Sequence, residues 1–266
     1  MLWQYAGTYR RRGPRPAERR YVRFGVMGKG MAGVLSTQYS YQFTRRNLYY
    51  RFLQWIIRAL ITLLARLRVE GLENLPRQGP LILVTNHLHW LDPPVIFCVL
   101  PVRTTVLAAE KWESHPFVGR LFKSINAVFI RRGEADIGAL RKVQRLLEQG
   151  AIVGIAPEGT RSKTGGLQKG KGGAALLALR TGATLVPVVA YGQEKVFREL
   201  RRFRRAEIVV RVGQPFKLRP LGEGNQSRQI DALTEDIMLR IARLLPPEYR
   251  GIYRDKVPED GAGTPI

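Results

Sequence analysis

From Pro80 onward the chain alternates short, unbroken apolar runs with longer stretches of helical periodicity, and nothing else in it constrains the fold as tightly. The runs are LILVTN at 81–86, TTVLAA at 104–109, AVFI at 127–130, AIVGIA at 151–156 and TLVPVVA at 184–190. Residues 93–100, 112–125, 135–148 and 174–179, lying between them, read as helices. A strand with continuous apolar residues is covered on both faces, and strand–helix alternation sets strands parallel. The expected class is therefore α/β: a mainly parallel central sheet flanked by helices on both faces. Residues 208–212 add a strand and 231–245 a closing amphipathic helix, stopped by Pro246-Pro247. Ligands of such sheets gather beyond the carboxyl ends of strands, which directs attention to the residues after 86, 130 and 156.

Charge narrows the partners. Lys+Arg 44 against Asp+Glu 21 gives a net +23, enough to draw the protein onto a polyanion, either an anionic membrane surface or nucleic acid. Residues 1–46 hold ten of the basic side chains and a single acid, Glu18, scattered among Gly, Pro and Ser, and read as a disordered basic arm. The arm has no apolar core of a secretory signal. Its Gly28, Gly30 and Gly33 spell G-x-G-x-x-G without the helix, strand and acid that a dinucleotide site needs, so the match is taken as chance. Met27 and Met31 leave open an alternative start of the native chain. The single cysteine, Cys98, excludes an internal disulfide and reads as a buried, inert thiol.

The segment 48–65, LYYRFLQWIIRALITLLA, is nearly long enough to span a bilayer. Its polar residues Arg51, Gln54, Arg58 and Thr62 fall at i, i+3, i+7 and i+11, one narrow stripe beside a broad apolar face. That pattern suits a helix lying in one leaflet, though a core-facing helix has the same signature. The flanking arginines 45, 46, 66 and 68 favour an anionic lipid surface. The domain reading is an arm at 1–46, an amphipathic membrane-associating helix at 47–68, a catalytic domain at 69–250 and a tail at 251–266.

Chemistry concentrates at the strand ends. The first run leads into Asn86-His87-Leu88-His89-Trp90-Leu91-Asp92-Pro93, where Asp92 reads as a helix N-cap. Two of the three histidines stand within reach of that carboxylate. A histidine oriented by a carboxylate is the working part of a general base. Metal binding by His87, His89 and Asp92 is the rival reading, opposed by the lack of a further ligand cluster. The next strand ends run into Ile130-Arg131-Arg132-Gly133 and Ala156-Pro157-Glu158-Gly159-Thr160-Arg161-Ser162. Guanidinium groups beside a Gly-Thr turn can cradle a phosphate, or can be merely solvated. Gly165 to Lys171 mimics a nucleotide-binding loop, but Gly172 replaces its Ser or Thr and no strand precedes it.

These residues together resemble the glycerolipid acyltransferases typified by bacterial 1-acylglycerol-3-phosphate acyltransferase, over about residues 50–215. His87 through Asp92 is similar to that family's H-x-x-x-x-D motif, which implies catalytic roles for both. Phe129 to Arg132 resembles the second motif. Pro157 to Ser162 matches the third, which implies an acceptor-phosphate site made by Arg132, Glu158, Gly159, Thr160 and Arg161. Val186-Pro187-Val188-Val189 matches the fourth and implies an acyl-donor side at Val186 and Pro187. Lys111 and Lys169 stand where members often carry basic residues. His89 replaces a common serine, and Ala156 a common phenylalanine.

The resemblance implies acyl transfer from acyl-CoA or acyl carrier protein to the hydroxyl of lysophosphatidic acid, with no cofactor and no metal. The implied partners are a lysophospholipid acceptor, the acyl donor and an anionic membrane surface, with the enzyme peripheral or monotopic on the cytoplasmic face of the cell membrane. Other lysolipid acceptors, and a hydrolase releasing the acyl group to water, use the same base. A basic nucleic-acid-binding protein would account for the charge but not for the histidine motif.

Overall fold

The computed structural model describes residues 45–131, 136–220 and 225–258. The basic arm through residue 44 with its glycine motif, Arg132 and the tail beyond 258 lie outside them. In chain order the regular elements are α1 (Arg45–Leu64), β1 (Ala65–Glu70), β2 (Leu81–Thr85), α2 (Asp92–Val99), β3 (Thr104–Ala109), α3 (Val118–Ser124) and β4 (Val128–Ile130). Then follow α4 (Ile137–Glu148), β5 (Ile152–Ile155), α5 (Gly173–Thr181), β6 (Thr184–Tyr191), α6 (Val196–Leu200), β7 (Ala206–Val212) and α7 (Gln226–Leu244). The strands form one seven-stranded sheet in the order β1-β7-β6-β2-β5-β3-β4. Every neighbouring pair is parallel except β6 and β7.

β2 explains why its run is unbroken. Ile82 and Val84 enter the core under α4, α5 and α7, beside Leu147, Ala175 and Ile237. Leu81 and Leu83 enter the opposite core, beside Ile61 of α1 and Val95 and Val99 of α2. Burying each such side chain contributes about 1.5–3 kcal/mol before the entropy of ordering it is counted. The helices follow the same logic: α4 buries Ala139, Val143 and Leu147 at four-residue spacing, and the Asp136 carboxylate caps it by accepting the N–H of Ala139. α7 begins at Gln226, capped by Asn225.

Three local expectations change. The helix expected to reach residue 68 ends at Leu64, because Ala65-Arg66-Leu67-Arg68-Val69-Glu70 has the two-residue alternation of a strand and pairs with β7 as β1. The helix expected at 112–125 is a 3-10 turn at Glu110–Trp112 followed by the short α3, since Pro116 holds the intervening chain out of helix. The tail is not all appendage. After α7, 3-10 turns at Pro247–Tyr249 and Gly251–Lys256 carry Tyr249, Tyr253 and Val257 into the main core. Arg250 between them is fully buried and donates to the carbonyl oxygens of Leu245 and Val257, each at 3.0 Å.

α1 lies on the domain by an edge that is partly polar. Tyr50 and Ile61 are buried, and Gln54 donates to the carbonyl oxygens of Phe97 and Leu100 at the end of α2, at 2.8 and 2.9 Å. These carbonyls are otherwise orphans of a helix C-terminus, so an amide beneath them is favoured. Part of the polar stripe thus faces protein, while Leu48, Phe52, Trp55, Leu60 and Leu63 are exposed. Among the described residues no helix is long and apolar enough to cross a membrane.

Candidate active site

Because β2, β3, β4, β5 and β6 run the same way, their carboxyl ends share one edge of the sheet. β2 sits where the strand order reverses, between β5 and β6, and the chain leaving it carries the histidine motif. Asn86, buried just past β2, bonds to Ala190 of β6 in both directions: its amide donates to the carbonyl oxygen at 2.8 Å and accepts the N–H at 2.9 Å. The next residue, His87, is thereby fixed to the sheet.

His87 Nδ1 lies 3.2 Å from Asp92 Oδ2, with the histidine side chain 15% exposed and the aspartate 2%. Asp92 Oδ2 also accepts the backbone N–H groups of Leu88 and His89 at 2.6 and 2.8 Å. Asp92 is therefore not the cap of α2. Leu91 takes that position, and the carboxylate at the first residue of the helix folds back over the loop before it. A carboxylate held by two N–H groups stays an acceptor, which directs the imidazole proton to Nδ1 and leaves Nε2 basic. The trio His87, His89 and Asp92 does not form a metal-binding group, and no other such group occurs among the described residues.

The loop after β5 closes over this pair. The N–H of His87 donates to Glu158 Oε1 at 2.8 Å, and the His87 carbonyl accepts the N–H of Ser162 at 2.8 Å. Glu158 Oε2 accepts the N–H of Gln168 at 3.0 Å. Ser162 Oγ in turn donates to the Gly166 carbonyl at 2.6 Å and accepts from Gly165 at 3.1 Å, tightening the loop. Gly159, at φ 68°, makes the turn at a dihedral that disfavours a side chain. Burial raises the carboxyl of Glu158 above its ordinary range, opposed by the N–H donors of His87 and Gln168. Burial lowers the imidazole of His89, and the positive charge of Arg161 acts in the same direction against the pull of Asp92 and Glu194.

Residues 66–191 match the acyltransferase family. The match spans 126 of the 266 residues. Two curated relatives are named 1-acyl-sn-glycerol-3-phosphate acyltransferase. The one from Borreliella burgdorferi is 29% identical over 48% of the chain, and the chain spans about half, 52%, of that relative's length. The one from Bacillus subtilis is 26% identical over 73% of the chain and 96% of its own length. The crystal structure of the 1-acyl-sn-glycerophosphate (LPA) acyltransferase PlsC from Thermotoga maritima shares the fold, with a TM-score of 0.59 over 86% of this chain and 89% of that one, at 22% identity.

The fold brings some of the expected site residues together and sets others apart. His87, Asp92, Glu158 and the Gly159-Thr160-Arg161 turn form one constellation, with Thr160 and Arg161 exposed to solvent. Glu158 is turned inward. It is 2% exposed and both its oxygens are occupied by backbone N–H groups, so it braces the histidine strand end. Val186 and Pro187 are buried in the middle of β6, where packing covers both faces of the sheet. Lys169 is exposed on the same loop as Arg161, whereas Lys111 is exposed on the turn after β3, with its ammonium 5.2 Å from the Trp112 ring centre. Arg131 reaches Glu110 at 3.4 Å, and Arg132 lies outside the described residues. Cys98 is buried in α2 and its thiol is pushed up to about 12, chiefly by burial, which suits an inert residue.

Sequence reasoning missed Gln193. It is fully buried just after β6, and its Nε2 donates to Asp92 Oδ1 and to the Ala190 carbonyl. An uncharged amide in no motif offers no titratable signal, and it lies beyond the apolar run that ends at Ala190.

Proposed function

We propose that the protein transfers a fatty acyl group from a thioester donor, acyl-CoA or acyl carrier protein, to the free hydroxyl of lysophosphatidic acid. The observation that carries this reading is the His87–Asp92 pair at the β2 strand end, with Nδ1 engaged by the carboxylate and the loop bearing Arg161 bonded to both sides of His87. The names of the relatives support the choice of acceptor.

The chemistry follows from the geometry. His87 Nε2 removes the hydroxyl proton as the acceptor oxygen attacks the thioester carbonyl, while Asp92 stabilises the imidazolium that forms. A C–O bond forms, the C–S bond of the tetrahedral intermediate breaks, and the imidazolium returns the proton to the departing thiolate. No acyl-enzyme is required, since the acceptor is itself the nucleophile. General-base help supplies about 10² to 10⁴ in rate, and holding both substrates in place must supply much of the rest. Arg161, with Arg132 and Lys169, is assigned to the acceptor phosphate; Gly159 and Thr160 shape the turn that presents it.

The lysolipid acceptor is membrane-borne at its apolar end, and α1 fits the same setting. Its exposed Leu48, Phe52, Trp55, Leu60 and Leu63, together with a net charge of +23, suit an anionic lipid surface on which the protein rests from the cytoplasmic side. Incubating the purified protein with mixed lysolipids and both kinds of acyl donor, then recording the product masses, tests the assignment. The expected product is phosphatidic acid; free fatty acid alone, or acylation of phosphate-free lysolipids in preference, would replace it.

A further inference from the structure

The His87–Asp92 pair uses one oxygen of the aspartate three times over and leaves the other, Oδ1, to a residue 101 positions away. That residue is Gln193, fully buried, whose Nε2 donates to Asp92 Oδ1. We infer that Gln193 is a positioning residue for the acyl-transfer base, setting the rotation of the Asp92 carboxylate so that Oδ2 faces His87 Nδ1. The inference deepens the function proposed above and rests on His87 being the base.

Four features make the amide suited to this work. Its bond to Asp92 Oδ1 is the partner found for that oxygen among the described residues, so the torsion of the carboxylate is set by Gln193 on one side and by the Leu88 and His89 N–H groups on the other. Gln193 is itself fixed, because the same Nε2 donates to the Ala190 carbonyl at 3.2 Å. That carbonyl also accepts the Asn86 amide at 2.8 Å, so one oxygen at the end of β6 anchors both the residue before His87 and the residue that orients its partner. Gly192 allows the chain to turn so sharply after β6: at φ 92° a β-carbon there would stand 2.1 Å from the Glu207 carbonyl oxygen. A neutral donor matters too. A lysine or arginine at this place would compete with the imidazolium for the carboxylate's charge, whereas an amide fills the lone pair and leaves the full charge to His87.

Gln193→Met keeps side-chain length and removes the donor; Gln193→Glu restores a donor only while its carboxyl is protonated. With acyl-CoA and lysophosphatidic acid as substrates, Gln193→Met should lower kcat roughly ten- to a hundredfold and leave both KM values within about twofold, because the loss is one of alignment. The kcat of Gln193→Glu, relative to Gln193→Met, should climb as pH falls from about 9 to about 6, the direction in which the glutamate gains its proton. If the Met variant does not fold, the same rise measured against the parent carries the test. Without any substrate, the downfield Nδ1 proton resonance of His87 in isotope-labelled protein should be present in the parent and lost in Gln193→Met. Parent-like kcat and an unchanged resonance in Gln193→Met would overturn the role, as would a Gln193→Glu to Gln193→Met ratio that does not move with pH. His87→Ala separates the two readings: full activity there overturns the base assignment itself, while an inactive His87→Ala beside a fully active Gln193→Met overturns Gln193 alone.

Discussion

Glu158 and Ser162 hold His87 by its backbone from opposite sides, the carboxylate of one accepting its N–H and the N–H of the other donating to its carbonyl, each at 2.8 Å. The strand end bearing the histidine and the loop bearing Arg161 are therefore one hydrogen-bonded unit, and displacement of either moves the other.

Replacing Glu158 by Gln tests that unit. The amide can satisfy only one of the two N–H groups that the carboxylate oxygens now accept, so one is left facing a donor, at a cost of about 1–3 kcal/mol. Thermal stability and acyl transfer should both fall. Were the carboxylate instead set against the acceptor phosphate, removing its charge would lower the acceptor KM, which steady-state kinetics would reveal.

His87→Ala should lower kcat by about 10² to 10⁴ with circular dichroism unchanged, while His89→Ala keeps most of the activity. Asp92 Oδ2 meets the ring of His87 but only the backbone of His89. Equal loss in the two variants would overturn the choice of His87, and greater loss at His89 would mark His89 as the base.

The acceptor's KM should rise by roughly one to two decades in Arg161→Ala, the cost of a charge-assisted bond of about 1.5–3 kcal/mol, while the donor's KM stays near its parent value. Lysine at this place should recover part of the loss, since it restores charge without the two-pronged geometry. Phosphate-free acceptors, assayed in parallel, should lose little; a uniform loss would make the role structural.

His89 gives a pH signature. Its imidazole is lowered in the fold, first by burial, so the unfolded chain takes up a proton near 6.5 that the folded chain resists. Its contribution to stability is present above that value and is lost as pH falls through it toward the lower folded value. Chemical denaturation across this range should show less acid loss in His89→Asn than in the parent, and an NMR titration should place the His89 midpoint below 6.5.

Phe52 and Trp55 stack at 6.3 Å on the exposed face of α1, each 57% exposed. Changing both to Asp should weaken flotation with anionic liposomes while leaving turnover of detergent-dispersed substrate nearly intact. Unchanged flotation would move the lipid contact elsewhere.

Where a residue's role depends on its own chemistry, the sequence was readable. β2, β5 and β6 announce themselves because burial on both faces demands unbroken apolar runs, and His87 with Asp92 because few residue types can move a proton. What depends on a distant partner was not. The alternation of Ala65, Leu67 and Val69 looks like more of α1 until β7 supplies a strand to pair with. Glu158 looks like part of an anion site until the N–H groups of His87 and Gln168 occupy it. Val186 and Pro187 look available until both sides of β6 are covered.

The C-terminal turns set the smallest piece of this chain that can keep the sheet and the histidine loop together. Leu167, on the loop that covers the histidine, donates its N–H to the Tyr249 carbonyl at 3.0 Å and accepts the N–H of Ile252 at 3.2 Å. Tyr249 also donates its hydroxyl to Glu194 at 2.5 Å, one residue past Gln193. A fragment cut to residues 66–191 would surrender β7, leave β1 without its neighbour, and release the loop from its far mooring. Expression boundaries chosen from the family match alone would therefore yield an unstable product, and a usable truncation has to run through Val257, whose carbonyl closes the Arg250 clasp.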